Sequence, residues 1–204
     1  MKNIIKTSVL SIILVFISAF TTAQNKGYKV GDEATNFTLE NIDGKKTSLS
    51  DYKDAKGFII VFTCNTCPYS VAYEDRIMAL DKKYKTKGYP VVAINPNDPA
   101  AKSGDSMAAM KVRAKEKGFT FPYLLDVGQK IYPQYGASRT PHVYILERQG
   151  NKYIVQYIGA IDNSSRNPDA VTERYAEDAL DALLAGQQPT TTYTRAIGCS
   201  IKTL

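Results

Sequence analysis

Cys64 and Cys67, in the run Thr63-Cys64-Asn65-Thr66-Cys67-Pro68, are the residues of this chain best suited to chemistry. Two thiols at that spacing can close a small disulfide and reopen it, which makes a reversible two-electron pair. A structural bridge normally closes a longer loop, because stabilisation grows with loop length, and a CxxC closes almost none. The same tetrapeptide is half of many zinc sites, yet no second CxxC and no pair of histidines supplies the other half. Neither a resident metal nor a cofactor is therefore expected. His142 is the one histidine and follows Pro141 directly; with Cys64 and Cys67 it makes a thiolate–imidazole set of the kind that suits copper. The third cysteine, Cys199, lies near the end of the chain. It is either a regulatory or second resolving thiol, if the tail folds back, or an unpaired or intermolecular one.

The elements around the pair explain why its chemistry would be redox exchange. Phe58 to Phe62 is a continuous apolar, β-branched run, the pattern of a strand buried on both faces. After Pro68 the period turns helical, with Tyr73, Ile77, Leu80 and Tyr84 sharing one face as far as Gly88. A thiolate at a helix start is stabilised by unpaired N–H groups and by the positive end of the dipole, and thiol pKa values there fall to roughly 3.5–7.5. Cys64, nearer the strand end and the surface, is expected to attack; Cys67, one turn in, is expected to resolve. Glu74 is a candidate proton acceptor, although its position reads first as an exposed helix site.

The remaining elements follow in order. Phe37 to Leu49 predicts a hairpin about Asp43-Gly44, and Ser50 to Lys53 a helical turn. Tyr89 to Ile94 reads as a second buried strand, stopped by Asn95-Pro96-Asn97-Asp98-Pro99. A helix capped by Asp105 or Ser106 turns Met107, Met110 and Ala114 inward and ends near Gly118. Tyr123 to Leu125 predicts a short strand, and Val127 to Tyr135 another helix, interrupted by Pro133. Thr140-Pro141 precedes a hairpin of Val143 to Leu146 and Tyr153 to Ile158. Asn167-Pro168 reads as the start of a last helix that buries Ala176, Ala179, Leu180, Leu183 and Leu184 and ends at Gly186. The order β-α-β-α-β-(α)-β-β-α implies an α/β domain with a mixed sheet and helices on both faces.

Residues 1–23 combine a basic start (Lys2, Lys6), an apolar run from Val9 to Phe20 and Thr21-Thr22-Ala23, the layout of a signal peptide cut after Ala23. The run is shorter than the roughly 18–20 residues that span a bilayer. A periplasmic or secreted protein without stable membrane association after cleavage is expected. It would comprise a domain over 24–186 and a polar, Thr-rich tail over 187–204. With Lys2 and Lys6 leaving in the signal segment, 24 basic residues face 20 acidic ones, a balance of +4. The charge is spread, with no basic stripe interleaved with aromatics, which argues against nucleic acid as a partner.

Strand–CxxC–helix, an X-Pro before a hairpin and a final amphipathic helix resemble the thioredoxin fold. The N-terminal hairpin and the insertion between Asn95 and Asp126 resemble its redoxin branch, the thiol-specific-antioxidant and thiol-oxidoreductase relatives. Cys64-Asn65-Thr66-Cys67-Pro68-Tyr69 and the ending Ala196-Ile197-Gly198-Cys199-Ser200-Ile201-Lys202 are further similar to an uncharacterised redoxin-like group. The resemblance covers about residues 28–186. It implies a cis Pro141 facing the CxxC, and a Thr140 whose backbone holds a partner chain against Cys64. It implies a thiol–disulfide oxidoreductase acting on protein thiols or disulfides with an unidentified redox partner. Thr63 stands where thioredoxins usually carry Trp, the pair between the cysteines is Asn-Thr, and Phe58 to Phe62 contains no acid. The rival enzyme is a thiol peroxidase, but the Pro-x-x-x-Thr-x-x-Cys loop of peroxiredoxins is missing: three positions before Cys64 is Val61, and before Cys67 it is Cys64 itself. Arg139 is the arginine that would have to serve. The copper-carrier alternative departs as well, since thioredoxin-fold carriers space their cysteines one residue further apart.

Overall fold

The computed structural model describes residues 27–204; the expected signal segment, residues 1–23, lies outside the described residues. Among the described residues, ten strands and four helices follow one another. The strands are β1 (Glu33–Ala34), β2 (Thr38–Asn41), β3 (Lys46–Ser48), β4 (Gly57–Phe62), β5 (Val91–Asn95), β6 (Tyr123–Leu125), β7 (Arg139–Thr140), β8 (His142–Gln149), β9 (Lys152–Gly159) and β10 (Cys199–Ser200). The helices are α1 (Pro68–Tyr84), α2 (Met107–Lys117), α3 (Ile131–Tyr135) and α4 (Tyr175–Leu184). Eight strands form one mixed sheet in the order β1-β9-β8-β4-β5-β6-β2-β3, and β10 pairs with β7 in a small second sheet.

The apolar strand β4 sits in the middle because it has two faces to bury. It runs parallel to β5 (Val61 opposite Ala93) and antiparallel to β8 (Val61 opposite Val143). Ile59 and Val61 face a core with Tyr73, Ile77, Leu80 and Tyr84 of α1, Met110 of α2 and Leu180 of α4. Phe58, Ile60 and Phe62 face a second core with Phe37, Leu49, Tyr135 and Tyr144. Helices therefore cover both faces of the sheet, three on one side and short α3 on the other. At roughly 1.5–3 kcal/mol per fully buried large apolar side chain, the two layers make β4 the costliest strand to disturb.

Two elements depart from the sequence expectation, and the tail, whose folding back the sequence left open, is a third finding. Asn167-Pro168 opens only a single 3-10 turn, and α4 begins at Tyr175. The Asn163 side chain accepts the backbone N–H groups of Thr172 and Glu173, which holds the intervening chain extended. Helix α3 starts at Ile131 rather than Val127, because Gly128 and Gln129 adopt positive φ and the Asp126 carboxylate accepts the N–H groups of Lys130, Ile131 and Tyr132. The polar tail is docked: Thr194 N–H donates to Ile158 O, Ile158 N–H donates to Thr192 O, and β10 closes on β7.

Candidate active site

Cys64 leaves the end of β4, and Cys67 is the N-cap residue of α1, with Pro68 in the first helical position. Pro68 suits that place because its missing N–H has no intrahelical partner there in any case. Both thiols are buried, at 3% exposure each, so neither is nearer the surface than the other as the sequence suggested. The loop between them is held from below by one carboxylate. Fully buried Asp105 accepts the Asn65 N–H (2.7 Å), the Thr66 hydroxyl (2.7 Å) and the Asn97 amide (2.7 Å). Asn65 adds a bond to Gly104 O (2.9 Å) and accepts the Tyr123 hydroxyl (3.0 Å). Asp105 read in the sequence as a helix cap. The side chain that caps α2 is Ser106, and only the fold brings the aspartate under the CxxC.

The Thr140–Pro141 peptide is cis, as the resemblance implied, and it faces the pair. Thr140 Oγ1 and Cys64 Sγ share a hydrogen bond at 3.3 Å, while Cys67 Sγ lies 3.1 Å from Thr140 O. The structure thus brings together all four expected site residues, Cys64, Cys67, Thr140 and Pro141. Cys199 lies beside them, opposite Thr140 in the β10–β7 register.

The two CxxC sulfurs ionise as one unit. The hydrogen bond from the Cys64 thiol is the main cause that draws Cys67 down to about 4, opposed by burial and helped by Cys199 and the Ser70 N–H on the first turn of α1. That same bond, followed by burial, pushes Cys64 well up. One proton therefore leaves easily and the second is held. Its place between the sulfurs is movable. Thr140 O beside Cys67 Sγ favours a protonated Cys67, and the Thr140 hydroxyl with the Cys67 N–H favours a thiolate on Cys64.

Other candidates lie elsewhere. Glu74 is buried rather than exposed, and both of its oxygens are taken by Arg113 at 2.7 Å, with Lys117 at 3.5 Å. It is half of an ion pair joining α1 to α2, which leaves it no oxygen free for the thiols. Arg139 is exposed and stands opposite Ser200 in β7. His142 pairs with Phe62 across β4 and β8, so it lies on the sheet face opposite α1, its ring 4.8 Å from that of Tyr144. Burial lowers its pKa to about 4. Among the described residues no group of three or more His, Cys, Asp and Glu side chains is gathered to hold a metal.

Known proteins resemble this chain in sequence and in fold. Residues 30–157 match the family model described as the AhpC/TSA family. The thiol-disulfide oxidoreductase ResA of Bacillus thuringiensis (strain Al Hakam) is 30% identical over 140 residues, covering 67% of this chain and 74% of that protein. An uncharacterised conserved protein from Geobacillus kaustophilus superposes with a TM-score of 0.80 at 37% identity, covering 86% of this chain and 93% of that one. The thioredoxin domain of the thiol-disulfide oxidoreductase BVU-2223 from Bacteroides vulgatus aligns at a TM-score of 0.53 and 17% identity, over 65% of this chain and 91% of that domain, a likeness of fold alone. With its thioredoxin-like sheet, its strand–CxxC–helix turn and a family match spanning most of the domain, this chain belongs to the AhpC/TSA family.

Proposed function

We propose that Cys64 and Cys67 are the exchanging pair of this thiol–disulfide oxidoreductase, with Cys64 taking the partner's sulfur and Cys67 closing the cycle. The observation that carries the reading is the packing of two buried thiols against Thr140, with Cys64 Sγ 3.3 Å from its hydroxyl and Cys67 Sγ 3.1 Å from its carbonyl oxygen. In the reductive direction the proton on Cys64 passes to Cys67, and the Cys64 thiolate attacks one sulfur of a protein disulfide. The Thr140 hydroxyl, 3.3 Å away, supports that charge until the new S–S bond forms. The leaving thiolate takes up a proton. Cys67 then gives up its proton to the departing sulfur, attacks Cys64, closes the CxxC disulfide and releases the second partner thiol. Two electrons pass to the substrate, and the reverse sequence oxidises a dithiol.

Protein thiols or disulfides are the substrates in this reading. The basic-then-apolar start of the chain, Met1 to Ala23, supports export to the periplasm or beyond, where both redox directions are in use. Insulin reduction tests the roles: Cys64→Ser is expected to abolish turnover, and Cys67→Ser to accumulate mixed disulfides on Cys64. Full activity in Cys64→Ser together with loss in Cys67→Ser would reverse the order of attack.

A further inference from the structure

The tail that carries Cys199 is fastened to the same framework that holds the CxxC loop. Lys202 N–H donates to Asn97 Oδ1 (2.9 Å), and Lys202 O accepts from Asp98 N–H (2.9 Å) and Gln129 Nε2 (2.9 Å). Asn97 in turn donates to Asp105, the carboxylate under Asn65 and Thr66. One chain of hydrogen bonds therefore ties the segment carrying Cys199 to the loop carrying Cys64 and Cys67. Gly198 makes the approach possible, since a Cβ there would collide with Thr140 O. Ile201 packs on the second core. Thr140 links the three cysteines: its hydroxyl lies 3.3 Å from Cys64 Sγ, its carbonyl oxygen 3.1 Å from Cys67 Sγ, and its backbone stands opposite Cys199. The backbone edge of Thr140, where a partner chain would dock, is taken by Cys199.

We propose that Cys199 is a third redox-active cysteine, which attacks Cys67 of the oxidised pair and takes over its disulfide. The inference rests on the assignment of Cys64 and Cys67 as the exchanging pair. The Cys199 thiolate forms an S–S bond to Cys67, the Cys64–Cys67 bond breaks, and Cys64 leaves as a thiolate that accepts the proton Cys199 gave up. No net electrons move; the oxidising equivalent shifts from the front of the site to the tail, and Cys64 is again free to react. The timing is built in. Burial and the bond to Cys67 keep the reduced Cys199 thiol protonated, raised to about 11, with the charge on Cys67 adding to this. The bond and the charge vanish when Cys67 enters a disulfide, whereas nearby Lys202 still favours a Cys199 thiolate.

Oxidation of the reduced full chain with diamide, followed by acid quench, alkylation and non-reducing peptide mapping, tests the relay. Diamide accepts the two electrons and two protons released for each disulfide formed. Cys64→Ser is expected to lose both remaining alkylatable thiols by forming a Cys67–Cys199 disulfide within one chain, while Cys199→Ser forms only Cys64–Cys67. If a Cys64→Ser protein with the wild-type circular dichroism spectrum keeps Cys67 and Cys199 alkylatable, the relay is overturned. The exchanging pair then still stands, provided that the wild type forms Cys64–Cys67 and reduces insulin. A wild type that does neither removes the pair and the relay with it. Should Cys64→Ser not fold, wild type equilibrated across a series of glutathione ratios decides the matter: a Cys67–Cys199 linked peptide supports the relay, and its absence at every ratio overturns it.

Discussion

A buried thiol is a poor nucleophile by itself, because desolvation disfavours its charge. Cys67 escapes that penalty by receiving hydrogen bonds, first from Cys64 and then from Cys199 and the Ser70 N–H. This has a signature in stability against pH. An unfolded cysteine titrates near about 8.5. The folded pair gives up one proton at about 4, so its contribution in the reduced protein is absent below that pH and grows up to the unfolded value. Above that value the raised second ionisation acts in the opposite sense, since the unfolded chain loses a proton that the folded pair retains. The reduced protein is therefore expected to melt highest near the ordinary thiol range and lower on both sides. The CxxC-oxidised form should lack this maximum, and parallel melting curves of the two forms check it. The cysteines themselves were legible from spacing alone. Asp105 and Glu74 were not, because a lone acid in a polar stretch looks the same whether it is solvated or gathers three buried donors.

Elements set what the pair can meet. The strand–turn–helix from β4 to α1 was readable from its change of period, as were the core faces of β5, α2 and β9. The strap formed by β10 was not, since a two-residue strand in a Thr-rich tail has no periodicity to detect. Its local physical sign is Gly198, and a glycine in a polar tail ordinarily signals flexibility. Gly198→Ala puts a methyl against Thr140 O and is expected to cost about 1–3 kcal/mol of tail docking, which raises the undocked population on the order of tenfold. Iodoacetamide should then label Cys67 and Cys199 faster by a similar factor, at an unchanged melting temperature of the core. Equal labelling rates in the two proteins would mean that the strap does not cover the thiols. The late start of α4 follows the same logic: Asn167-Pro168 is a sound local helix signal, but distant Asn163 captures the N–H groups needed to continue it.

At the scale of the whole molecule, Asp162 joins two parts of the helical layer. This buried carboxylate accepts Arg76 through both oxygens (2.9 and 2.7 Å), the Tyr73 hydroxyl (2.8 Å) and the Ser164 N–H (3.0 Å), and so ties α1 to the loop that leads into α4. Arg76 also stacks over the Tyr73 ring at 3.6 Å. Asp162→Ala leaves a largely buried guanidinium without its counter-charge, and a loss of about 3–5 kcal/mol in denaturant unfolding is expected. Because the CxxC loop is anchored separately through Asp105, the thiol titration of the folded variant should match the wild type. A change in that titration would show that the two ends of α1 are coupled.

Taken by itself, the sequence determined the alternation of buried strands and amphipathic helices, the placing of a CxxC at a strand–helix turn and the presence of an X-Pro ahead of the final hairpin. These are local matters, decided by side-chain period and by the backbone limits of proline and glycine. Only the tertiary structure decided that Asp105 lies beneath the CxxC loop, that Glu74 belongs to Arg113, that His142 faces away from α1, and that Cys199 meets Cys67 across more than a hundred residues of chain. Contacts of that kind depend on the sheet order and on the closure of the tail. They leave no trace in a residue's own neighbourhood, because the groups that satisfy a buried charge or thiol come largely from other elements, distant along the chain.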